Sequence, residues 1–207
     1  MSDYNLVYLL NDKIYINLTN SCTNNCVFCI RNIKDDVVGT NLFLDNENVK
    51  AEDVIAQLKT FKNNITEEIV FCGYGEPMLK LDILKKVAEF IKENYPDVKI
   101  RINTNGHANL VYKRNVLPEL KGLIDKFSVS LNAENETAYN KISLPNIQNA
   151  YNSVKEFIKE AVKQGFDTTA TIVTHYKDYN VDIKKCMEIT AELGAKFRER
   201  PWIENGY

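Results

Sequence analysis

The stretch Asn20-Ser21-Cys22-Thr23-Asn24-Asn25-Cys26-Val27-Phe28-Cys29 places three of the chain's five cysteines at a C-x3-C-x2-C spacing. It follows a strand-like run at residues 13–19, so the thiols converge in one strand-end loop. A four-iron cluster normally takes four thiolates; three leave one iron with an open position for a substrate or cofactor. The competing reading is a zinc site with His107 or His175 recruited as fourth ligand, although structural zinc usually draws its cysteines in two separated pairs. A third reading is an iron–sulfur electron carrier without turnover. Phe28, just before the last cysteine, supplies an apolar wall that would shield a reactive centre from water.

Outward from this loop, the hydrophobic period switches repeatedly between two and 3.6. Residues 5–10 and 13–19 are short, rich in Val, Ile, Leu and Tyr, and separated by Asn11-Asp12, which reads as an opening hairpin. Residues 51–63 carry Val54, Ile55, Leu58 and Phe61 at helical spacing. Then come a strand at 68–72, a helix at 81–94, a strand at 99–103, a helix around 117–124 and a strand at 126–131. A helix at 149–164 closes on Gly165, a β-branched strand occupies 168–174, a helix at 181–193 closes on Gly194, and a last strand covers 196–200. Such alternation predicts an α/β fold with a parallel sheet. Two layouts satisfy it, a doubly wound open sheet and a partial barrel with all strand-end loops around one mouth.

Further motifs sit at strand ends. Gly73-Tyr74-Gly75-Glu76-Pro77 follows the 68–72 strand, where a glycine turn exposes carbonyls and Glu76 adds a carboxylate, both attractive to a cation. Asn103-Thr104-Asn105-Gly106 is a turn after the next strand. Ser128, Ser130 and Asn132 alternate, and so share one face of the strand after that. His107 and His175 both follow strands on the same rim. Arg198, Arg200 and Trp202 lie on or after the last strand, placed for an adenine, an anionic substrate or a solvated edge. Cys72 and Cys186 sit alone in apolar stretches as small buried hydrophobes, though Cys72 directly precedes Gly73 and is also placed to face a pocket.

With its aromatic before the last cysteine, the loop resembles the hallmark of the radical S-adenosylmethionine superfamily, and Gly73–Pro77 looks like that family's Gly-Gly-Glu-Pro element. The likeness runs through all six β/α steps. It implies a partial (β/α)6 barrel of the radical SAM type with an N-terminal β-hairpin, and as cofactors a [4Fe-4S] cluster on Cys22, Cys26 and Cys29 and S-adenosyl-L-methionine. The resemblance also implies that Gly73, Gly75 and Glu76 bind the methionine ammonium. Thr104 and Asn105 would lie beside its carboxylate, Ser130 and Asn132 on the ribose hydroxyls, and Phe28 and Arg198 around the cofactor. Tyr74 replaces the family's second glycine, so it should point away or line the pocket wall. The implied chemistry is reductive cleavage to a 5′-deoxyadenosyl radical that abstracts hydrogen from a substrate. The expected substrate is a peptide, protein or nucleic acid, with 7-deazapurine formation or glycyl-radical activation as alternatives and flavodoxin or ferredoxin as electron donor. Within the superfamily, the Ile16-Asn17-Leu18-Thr19-Asn20 lead and the opening hairpin are similar to the small stand-alone group associated with TatD-type nucleases.

Composition bounds these readings. The chain has 207 residues, 44% of them hydrophobic and 26% charged, as expected of a single domain spanning residues 1–207. Its net charge is −2 with lysines spread along helical segments, so a dedicated nucleic-acid surface is not indicated. The opening MSDYNLVYLL carries Asp3 and no basic stretch, which reads as neither secretory signal nor membrane span. A cytoplasmic location is therefore expected, where the thiols stay reduced.

Overall fold

The computed structural model describes residues 5–203 except 35, 38 and 46; Met1–Tyr4, part of the N-terminal reading, lie outside the described residues. The chain opens with β1 (Val7–Leu10) and β2 (Lys13–Ile16) in an antiparallel hairpin. Asn11 and Asp12 form its turn with φ of 48° and 59°, the doubly left-handed geometry that matches strand twist and that Asn and Asp tolerate best. A small ribbon of β3 (Asp36–Val37) and β4 (Thr40–Asn41) follows the cysteine loop. Then come α1 (Ala51–Thr60), β5 (Glu68–Phe71), α2 (Leu81–Asn94), β6 (Lys99–Thr104), α3 (Ala108–Val111) and β7 (Lys126–Ser130). The described chain continues with α4 (Glu136–Ser143), α5 (Ala150–Lys163), β8 (Asp167–Thr174), α6 (Ile183–Glu192) and β9 (Lys196–Pro201).

The main sheet runs β1-β2-β5-β6-β7-β8-β9, and every pairing from β2 onward is parallel. The parallel strands thus follow chain order with no reversal. A doubly wound sheet needs a reversal to send helices to both faces, so its absence leaves them on one side and selects the partial barrel. Ile14, Ile16, Ile69, Phe71, Ile100, Ile102, Phe127 and Val129 point outward from β2, β5, β6 and β7 and are at most 1% exposed. Val54 and Leu58 of α1, Leu84 and Ile91 of α2, and Val154 and Phe157 of α5 belong to the same core. Each such side chain contributes about 1.5–3 kcal/mol by leaving water.

The opposite face is polar. Glu68 on β5 receives Arg101 of β6 at 3.1 Å, Lys126 of β7 at 3.1 Å and Lys13 of β2 at 3.6 Å. This cross-strand network ties four strands together at the lower end of the lumen.

The structure differs from the sequence reading in several places. The helix expected around 117–124 is a single 3-10 turn, Leu117–Leu120, with Pro118 in it and Gly122 at φ 80° soon after; the short α3 precedes it. Helix α4 was not anticipated: its buried residues are only Tyr139, Ile142 and Ser143, and Asn135 starts it by accepting from Ala138 N at 2.9 Å. Asn132 lies beyond the end of β7 with φ 62°, so it does not continue the alternation of Ser128 and Ser130.

Candidate active site

The cysteine loop is held from both flanks. On one flank the polar residues of its lead reach Leu42 and Leu44: Asn17 Nδ2 donates to Leu42 O at 2.7 Å, and Asn20 exchanges two hydrogen bonds with Leu44, at 2.7 and 3.0 Å. Glu47 accepts from Asn20 N at 2.7 Å and from Ser21 Oγ at 2.9 Å. On the other flank, Asn24 Nδ2 donates to Tyr139 Oη at 3.0 Å, and Asn25 N and Val27 N donate to the last carbonyls of α4. The orphan carbonyls at a helix C-terminus thereby become an anchor for the loop.

The third attachment is the turn after β5. A Cβ on Gly75 would lie 2.3 Å from Thr19 O and 2.5 Å from Ser21 O, and one on Gly73 2.0 Å from Asn17 Oδ1. Only glycine lets the two loops meet this closely. Glu76 then locks the contact: its N–H donates to Ser21 O at 2.8 Å, Oε1 accepts from Met78 N and Thr104 Oγ1, and Oε2 accepts from Asn105 N at 2.7 Å. Burial lifts its carboxyl to about 7 despite those donors.

These elements surround a cavity of about 280 Å³ at the C-terminal ends of the strands. Cys22, Cys26, Cys29, Phe28, Gly73, Tyr74, Gly75, Glu76, Thr104, Asn105, Ser130 and Asn132 all line it, so the sequence motifs converge. Cys72 lines it as well, whereas Cys186 is buried in α6. Tyr74 forms the wall, its hydroxyl donating to Lys34 O at 2.7 Å and its ring edge-on to Phe43. Phe28 packs edge-on to Tyr176, and Trp202 Nε1 donates to Phe28 O at 3.3 Å.

Arg198 departs from the expectation. It does not line the cavity but donates to Ser128 Oγ at 3.0 Å, while Arg200 and Trp202 reach the wall instead. The two-residue strand period explains it: Arg198 and Arg200 share a face, and Arg200 is the one nearer the mouth. Tyr8 and Val173 also line the cavity and carried no motif signal.

The two histidines have different settings. His107 is 1% exposed, with Thr23 Oγ1 at 2.8 Å from Nδ1 and Tyr139 Oη at 3.0 Å from Nε2. Burial pushes its pKa down to about 4, so it is a neutral brace under the cysteine loop. His175 is exposed at φ 61°.

The donor set has the chemistry of a cluster site. All three loop cysteines are free thiols. Burial raises each, and Cys26 is pushed up to about 12, with Cys29 and Cys22 adding to the rise. Bare thiolates are therefore disfavoured in this pocket, and a cationic metal centre is what would stabilise them. Among the described residues, no group of three or more His, Cys, Asp or Glu side chains is disposed around a single ion.

The pattern of the Radical SAM superfamily matches residues 16–189, from β2 into α6. The chain belongs to this superfamily. Radical SAM proteins use a [4Fe-4S] cluster and S-adenosylmethionine, and they require a reductant. The dual-specificity RNA methyltransferase RlmN of Buchnera aphidicola is 28% identical over 204 residues, covering 87% of this chain and 51% of its own. A probable GTP 3',8-cyclase of Saccharolobus islandicus is 27% identical over 184 residues, covering 89% and 54%. The chain thus spans about half the length of these curated relatives. In fold it is similar to Streptococcus suis SuiB bound to precursor peptide SuiA, with a TM-score of 0.65, 17% identity and coverage of 92% of this chain and 39% of that one.

Proposed function

We propose that residues 1–207 form one radical SAM core domain that cleaves S-adenosylmethionine reductively to modify a substrate. The observation that carries this is the convergence of the three loop cysteines with Gly73–Glu76 and Asn105 on one cavity wall. Cys22, Cys26 and Cys29 would hold the cluster. When bound, this pair would supply the hard chemistry, one-electron reductive cleavage of the sulfonium carbon–sulfur bond with release of methionine, and hydrogen abstraction from the substrate.

The protein's own groups position and shield. Glu76 and the Gly73 and Gly75 carbonyls would take the ammonium. Thr104 and Asn105 border the carboxylate, Ser130 and Asn132 the ribose, and Phe28, Tyr74 and Trp202 keep water out. Asn105 Nδ2 and Asn24 N lie 3.6 and 3.4 Å from Cys22 Sγ, and donors to a ligand sulfur raise a cluster's reduction potential.

The substrate enters where β1 and β9 end the open sheet, which suits a peptide, a protein or a nucleic acid segment. The relatives' printed activities include RNA methylation. The short opening hairpin and the Ile16–Asn20 lead favour the stand-alone group associated with TatD-type nucleases. A flavodoxin or ferredoxin would supply the electron. No helix among the described residues is long and apolar enough to cross a membrane.

The test is anaerobic reconstitution followed by dithionite and S-adenosylmethionine. Brown protein with about four irons per chain that releases 5′-deoxyadenosine is expected. Colourless protein holding one zinc, or a cluster that never cleaves the sulfonium, contradicts the proposal.

A further inference from the structure

The strand register carries the inner face of the barrel onto edge strand β9. Ser130 is level with Thr171, Thr171 with Arg198, and Val173 with Arg200. Level partners in a parallel sheet point to the same side, so both arginines face the lumen with Ser128 and Ser130. Arg198 Nη2 reaches across to Ser128 Oγ at 3.0 Å, which fixes that direction. Arg200 is half-buried on the cavity wall, and its charge acts on the Cys72 thiol. Among the described residues it has no hydrogen-bond or ion-pair partner.

The lower tiers of the lumen hold their own counter-charges. Glu68 serves Lys13, Arg101 and Lys126, and Asp167 pairs with Lys196 at 2.7 Å. On the tier of Arg200, level with Val173, no strand residue among those described presents a carboxylate. Glu199, between them, is level with Ile172 and therefore faces outward. Glu76 is the other acid on the cavity wall, and both its oxygens are engaged by Met78, Thr104 and Asn105.

A guanidinium keeps its proton at any working pH, and a half-buried one without a partner favours an anion. The excess is local, since the whole chain carries −2. The Arg200 guanidinium on the cavity wall matches the oxygens of a carboxylate or phosphate, which arginine binds through paired, directed hydrogen bonds. We infer that the β9 wall binds an oxyanion group, carboxylate or phosphate, carried by the substrate, with Arg200 as its direct partner. This deepens the enzyme reading and rests on it. The radical's target hydrogen then lies within reach of an anionic anchor, a restriction on substrate class that the cofactor residues do not impose.

The test is calorimetric titration of the reconstituted protein, saturated with S-adenosylmethionine, with inorganic phosphate and separately with succinate at constant ionic strength. Saturable binding of at least one is expected. Arg200→Gln should weaken it at least about tenfold, and Arg200→Lys should restore part of the phosphate affinity. Iron content and the S-adenosylmethionine isotherm should overlay those of the parent. The stronger of the two anions then distinguishes a phosphate-bearing from a carboxylate-bearing substrate.

Equal binding by parent and Arg200→Gln, or none by either, overturns the inference. So does a loss confined to S-adenosylmethionine affinity or to the cluster potential, which would make Arg200 a cofactor contact. Failure of the enzyme reading registers separately, as parent protein without iron or without deoxyadenosine release.

Discussion

Gly75 concentrates the residue-scale logic of the site. Its missing side chain leaves Thr19 O and Ser21 O where a Cβ would have to sit, and those backbone atoms cannot swing aside as a flexible side chain would. Gly75→Ala should therefore displace the cysteine loop, lowering stability by about 1–3 kcal/mol and iron uptake with it; unchanged iron content and an unchanged urea midpoint would refute this contact. Cys26→Ser should abolish cluster retention, whereas Cys186→Ser, buried in α6 away from the cavity, should keep it. Iron per chain and the visible spectrum after anaerobic reconstitution read both variants. At this scale the sequence showed which residues would meet, since the C-x3-C-x2-C loop and the glycine–glutamate turn line one cavity. Arg198 was misplaced by one strand period, since pattern alone does not say which of two inward arginines reaches the mouth.

Helix α4 and the cysteine loop form a unit at the scale of elements. Tyr139 takes a hydrogen bond from Asn24 Nδ2 at 3.0 Å and meets His107 Nε2 at 3.0 Å, so one buried phenol braces the loop, the helix and the end of β6. Tyr139→Phe would leave Asn24 and His107 short of a partner. A loss of about 1–3 kcal/mol is expected, read as a shift of the urea midpoint at unchanged slope, and no shift would show the brace to be idle. None of this was legible beforehand. Asn24, His107 and Tyr139 are separated in sequence by as many as 115 residues, and α4 offers so few apolar positions that its period escapes notice. The strands and long helices were legible because each buries one continuous face, as α2 and α5 do. The short α3 and the 3-10 turn bury too little to leave a pattern.

For the whole molecule, the β/α alternation announced a parallel sheet but left the doubly wound and barrel layouts open; the unreversed strand order and the convergence of strand-end loops on one cavity decide between them. Acid stability reflects groups spread over that barrel. Glu76, raised from 4.5 to about 7 by burial, makes folding less favourable as pH climbs through that interval. His107, lowered from 6.5 to about 4 by burial, makes it less favourable as pH falls from 6.5 to 4. The two windows nearly coincide and oppose. Glu68 and Asp125 are partly lifted by burial but brought below their ordinary values by the Arg101 and Lys126, and the Lys92 and Lys99, interactions respectively. Their stabilisation is complete above the ordinary carboxylate range and is lost as pH falls through the lowered folded values. Urea midpoints of the iron-free chain should thus be nearly level from about pH 7 to 5 and drop below about 4.5; a steep decline already at pH 6 would contradict these assignments.

The central claim, a cluster with one iron left free by a three-cysteine loop, meets its most direct test in the Mössbauer spectrum of protein reconstituted with iron-57, recorded with and without S-adenosylmethionine. Addition of the cofactor should move about one quarter of the iron absorption to the parameters of a higher-coordinate site while the rest stays fixed. A spectrum that S-adenosylmethionine leaves untouched, or that moves all the iron together, would contradict it.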